Sequence, residues 1–61
     1  MKDADAIHDA YAATVGELYK TMFRSYLIAA GNKTEEKNAD NAFQAGLAVA
    51  RAVRSQALAL L

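Results

Sequence analysis

The chain reads as an all-α protein: an antiparallel two-helix hairpin that pairs with a second copy to make a four-helix bundle. Three observations lead there. Proline is absent, glycine stands only at positions 16, 31 and 46, and good helix formers dominate the rest. Apolar side chains recur every three or four residues and never alternate at period two, as a half-buried strand would require. The one convincing break, Gly31-Asn32-Lys33-Thr34, lies at the middle of the chain.

The first helix is expected from about Asp3 to Ala30. Asp3 or Asp5 can cap its start, and early carboxylates suit the positive end of the helix dipole. Gly31 followed by Asn32 is a good stop, because both residues tolerate the left-handed backbone of many helix ends. The turn is read as residues 31–34 and the second helix as residues 35–60. Thr34 is the expected cap, Asn38 a second candidate, and Glu35 and Glu36 fill the first turn. Rods of this length joined by a short turn must fold back on each other.

Apolar residues of the first helix fall at 7, 11, 15, 18, 22 and 26, one helical face. Tyr19, Phe23 and Leu27 form a second stripe beside it, so the apolar arc is wider than one partner helix covers. The second helix carries mostly small apolar residues, among them Ala39, Phe43, Gly46, Val49, Ala50, Val53, Ala57 and Leu60, with Leu47 and Leu58 off that stripe. A centred turn pairs residues whose numbers sum to 65, which sets Tyr19 against Gly46, Met22 against Phe43 and Tyr26 against Ala39. Large side chains then meet small ones, an arrangement that allows close packing.

Sixty-one residues allow one domain, residues 1–61, and a monomeric core of that size is marginal. Without cysteine there is no disulfide or thiolate zinc site to stiffen it, so oligomerisation is the remaining remedy. The expected interface comprises Leu18, Tyr19, Met22, Phe23, Tyr26, Phe43, Val49, Val53 and Leu60, covered by a second copy or by another protein. Asp3, Asp5 and Asp9 stand where a secretory signal would be basic and then apolar, and no apolar run approaches a membrane span. A cytoplasmic protein without membrane contact is the expectation.

Seven basic and seven acidic side chains balance, which removes the usual electrostatic argument for nucleic-acid binding. Asp5-x-x-His8 has the spacing of helical carboxylate–imidazole metal ligands, but the chain offers no second such pair, and no metal or cofactor is expected. The hydroxyls of Thr14, Thr21, Ser25, Thr34 and Ser55 have no base within local reach, so the reading is non-enzymatic. Gly31-Asn32-Lys33-Thr34 lacks the glycine pattern and preceding strand of a phosphate loop. Basic residues come in two pairs at helical spacing, Lys20 with Arg24 and Arg51 with Arg54. Glu17 beside Lys20, and Asp9 across from Arg51, offer them ordinary ion pairs.

The segment Ala50–Leu61 resembles part of the first helix of the Rop family of plasmid copy-number regulators, and Glu17-Leu18-Tyr19-Lys20 resembles a piece of the second. The family's members are dimeric helical hairpins that bind a pair of RNA loops. The resemblance covers about a quarter of the chain, runs in reversed order, and places Ala52 where the family has an RNA-contacting Phe. It implies the dimeric hairpin architecture. The leading functional expectation is a homo-oligomeric interaction or regulatory module. The alternative is a Rop-like RNA-binding regulator that uses Lys20, Arg24, Arg51 and Arg54.

Overall fold

A computed structural model describes residues 2–61 as two helices, α1 (Asp3–Ala29) and α2 (Lys33–Ala59), each of 27 residues. At about 1.5 Å per residue each rod is roughly 40 Å long, and the hairpin measures 44 × 18 × 7 Å. It is a single layer two helices wide.

At the start of α1 the cap position belongs to Lys2, whose extended backbone enters the helix without a side-chain cap. Asp3 and Asp5 lie inside the first turn, so they act through the helix dipole and not as the expected caps. The other end closes one residue early. Ala30 is already left-handed, with φ 49°, and donates its N–H to the Tyr26 carbonyl at 3.2 Å. Gly31 follows at φ 86°, and Asn32 N–H donates to the Ala29 carbonyl at 2.9 Å.

These two left-handed residues reverse the chain so quickly that α2 begins at Lys33, ahead of the expected position. Its cap is Asn32 and not Thr34: Asn32 Oδ1 accepts from Glu35 N–H at 3.0 Å. Asparagine is at least as good as threonine in that role. Lys33 Nζ and Glu36 Oε1, 3.4 Å apart, brace the first turn.

Three contacts report how the helices meet. The guanidinium of Arg54 lies over the Tyr11 ring, its Cζ 4.1 Å from the centroid. Leu18 lies against Gly46, where an added Cβ would stand 2.6 Å from Leu18 Cδ2. Tyr26 donates its phenolic O–H to Asp40 Oδ1. All three pairs fall within one residue of the sum-to-65 register. The residue over Gly46 is nevertheless Leu18 and not Tyr19. Register sets only height along the axis, and the rotation of about 100° per residue turns Tyr19 away from the seam, leaving it 57% exposed.

Only Ala29 and Ala39 are buried among the described residues, both in the half of the hairpin nearer the turn. The radius of gyration is 14.3 Å, against roughly 10–11 Å for a compact domain of this length. Among the described residues no helix is long and apolar enough to cross a membrane.

Candidate interaction surface

The seam divides the hairpin into two broad sides. Positions 7, 11, 15, 18, 22 and 26 of α1 are all half-buried along it. On α2 it is built from Ala39, Phe43, Gly46, Ala50, Arg54 and Ala57.

One side is grooved. An open cleft of about 390 Å³ runs along the free end of the hairpin, lined by Ile7, Ala10, Thr14, Val49, Val53 and Ala57 with Tyr11 and Arg54 at the seam. A shallow concavity continues it past Leu18, Thr21 and Ala42, and a third of about 310 Å³ lies between Ile28, Ser25 and Asn38 near the turn. Val49 and Val53 are more than half exposed here, and Leu60, a turn beyond, is 75% exposed.

The other side carries the aromatic stripe. Tyr19 and Phe23, four residues apart, stack with ring centroids at 6.4 Å and an interplanar angle of 19°. At 100° per residue, Lys37, Asp40, Arg51 and Leu47 belong to this same side. The Tyr26–Asp40 hydrogen bond, reinforced by loss of solvent and by the Asp40 and Glu36 charges, pushes the Tyr26 phenol up to about 12.

The nine residues expected at an interface therefore separate into three groups. Leu18, Met22, Tyr26 and Phe43 are half-buried within the hairpin itself. Val49, Val53 and Leu60 are exposed on the grooved side, and Tyr19 and Phe23 on the aromatic side. Leu47 and Leu58, placed off the α2 stripe by sequence, are half-buried in their stead. Small alanines on several faces of α2 blur its apolar direction, so periodicity alone does not separate the seam residues from those exposed beside it.

The four basic residues of the RNA reading do not share a surface of the hairpin. Lys20 and Arg24 lie about half a helical turn from the seam residue Met22, on the outer edge of α1. Lys20 Nζ is 3.7 Å from Glu17 Oε1, the local pair expected from sequence. Arg51 is exposed on the aromatic side, and among the described residues no ion pair joins it to Asp9. Arg54 packs on Tyr11, a contact no local pattern in α2 signals because its partner is 43 positions away. Asp5 and His8 have no third metal-ligating side chain grouped with them among the described residues.

Comparison with protein-family models, with curated proteins and with solved structures returns no match.

Proposed function

We propose that this chain is a non-enzymatic, self-associating helical hairpin that serves as an interaction or regulatory module, with a four-helix bundle as its assembled form. One observation carries the reading: the hairpin has no core of its own. Its accessible surface is 4576 Å², where a compact protein of this mass presents roughly 3,800 Å². Among the described residues eight large hydrophobic side chains are more than half exposed, on both sides of the hairpin. Exposed apolar patches of this kind mark places where another protein surface binds. A second copy supplies a matching layer of helices with ordinary bundle geometry.

Support for the RNA-binding alternative is weaker, because the hairpin spreads its cations over separate surfaces and ties Arg54 to Tyr11. Sedimentation at micromolar concentration tests the proposal. A mass of two or more chains is expected, and a stable monomer overturns it.

A further inference from the structure

We infer that the second copy docks on the grooved side, over Ile7, Thr14, Ala42, Val49 and Val53, and that the Tyr19–Phe23 side stays open. The inference rests on the self-association proposed above and adds which face is used.

Charge is the first argument. A twofold contact sets one patch against the same patch of its mate, so a charge inside it loses water and needs an opposite charge where the mate's patch meets it. From Ile7 to Ile28 of α1 and from Ala42 to Leu60 of α2 the helical positions turned to the grooved side are uncharged, and Glu35, which lines the concavity nearest the turn, is the charged exception. Arg54, the one cation at its inner edge, is held over Tyr11. The aromatic side carries Lys37, Asp40 and Arg51 among its apolar groups, and covering that side would strip water from all three.

Shape is the second. Three concavities follow one another along the grooved side, floored by small residues such as Ala10, Ala42 and Gly46. Val49 and Val53 stand beside them as knobs that a mate's grooves can receive. Area is the third. Either 44 × 18 Å side offers roughly 800 Å² per copy, what a standard stable interface buries on each partner, which supports a second copy as the occupant and leaves the choice of side to charge and shape.

The chain contains no cysteine, so an introduced thiol reports its own surroundings alone. Thr14→Cys and Ala42→Cys place it on the grooved side, and Ala12→Cys and Gln44→Cys on the other; all four positions are exposed in the lone hairpin. Maleimide labelling is followed at a concentration where sedimentation shows the dimer. Labelling at 14 and 42 is expected to be at least about tenfold slower than at 12 and 44, as burial in an assembled unit protects. In parallel, Val49→Glu should lower the measured mass to that of one chain, whereas Phe23→Glu should leave the dimer intact. A dimer that protects positions 12 and 44 instead, or none of the four, overturns the choice of face while self-association stands. A monomeric parent chain overturns the self-association on which the choice depends.

Discussion

Glycines 16 and 46 are both helical, yet their surroundings set them opposite roles. Around Gly16 nothing approaches within 4 Å of an added Cβ, so the glycine only costs helix stability. Gly16→Ala should stabilise by up to about 1 kcal/mol. At Gly46 the Leu18 side chain already fills the space. Gly46→Leu should therefore overpack the seam and destabilise by about 1–3 kcal/mol. Denaturant melts of both variants at one protein concentration decide the matter, and a neutral Gly46→Leu would mean that Leu18 does not cover this position. Tyr26 adds a pH dependence with a definite sign. Its phenol rises from 10.0 to about 12 because the neutral form donates to Asp40. A raised pKa contributes stability that is fully present below pH 10 and lost as pH climbs from 10 to 12. A tyrosinate absorbance step near pH 12 should be seen in the folded chain and be absent in Tyr26→Phe; an unchanged titration curve would mean that the bond to Asp40 does not form in solution.

The helices and their register were legible because each rests on a signal repeated along the chain. The six-residue stripe from Ile7 to Tyr26 predicts the half-buried seam of α1 at every position. Cap placement rests on single residues, and there sequence offered several acceptable answers. Asn32, Thr34 and Asn38 can all cap a helix. The choice follows from the left-handed Ala30, a conformation that alanine does not advertise and that costs it roughly 1–2 kcal/mol. Which apolar neighbours face inward was also hidden, since Leu18 and Tyr19 are adjacent and both apolar, and only the opposing surface chooses between them. The cap assignment is open to direct test. Asn32→Ala removes the acceptor of Glu35 N–H and should cost about 1 kcal/mol. Thr34→Ala, inside the first turn, should change stability by less than about 0.5 kcal/mol. Equal losses in thermal melts of the two variants would contradict a helix that begins at Lys33.

For the molecule as a whole, folding and assembly should be a single event. Two 27-residue helices touch along one seam, and among the described residues only two alanines are buried there. Two alanines and a row of half-covered seam residues are little to set against a backbone ordering cost of about 1 kcal/mol or more per residue. On the proposed self-association, most of the stabilising apolar contact forms between chains, and the unfolded monomer and the folded oligomer should exchange directly. Mass action makes such an equilibrium depend on concentration: each tenfold increase favours a dimer by about 1.4 kcal/mol. With an unfolding entropy of about 2.1 cal/mol/K per residue, a dimer of this chain should melt roughly 5 °C higher for each tenfold rise in concentration. The slope separates the possible stabilisers of the hairpin. A monomer held by its own seam would melt at the same temperature at every concentration. A hairpin held by a different partner would melt early and without slope when purified alone. Melting curves collected over two decades of concentration by circular dichroism distinguish these cases, and a flat Tm would refute obligate self-association whichever face the copies were thought to share.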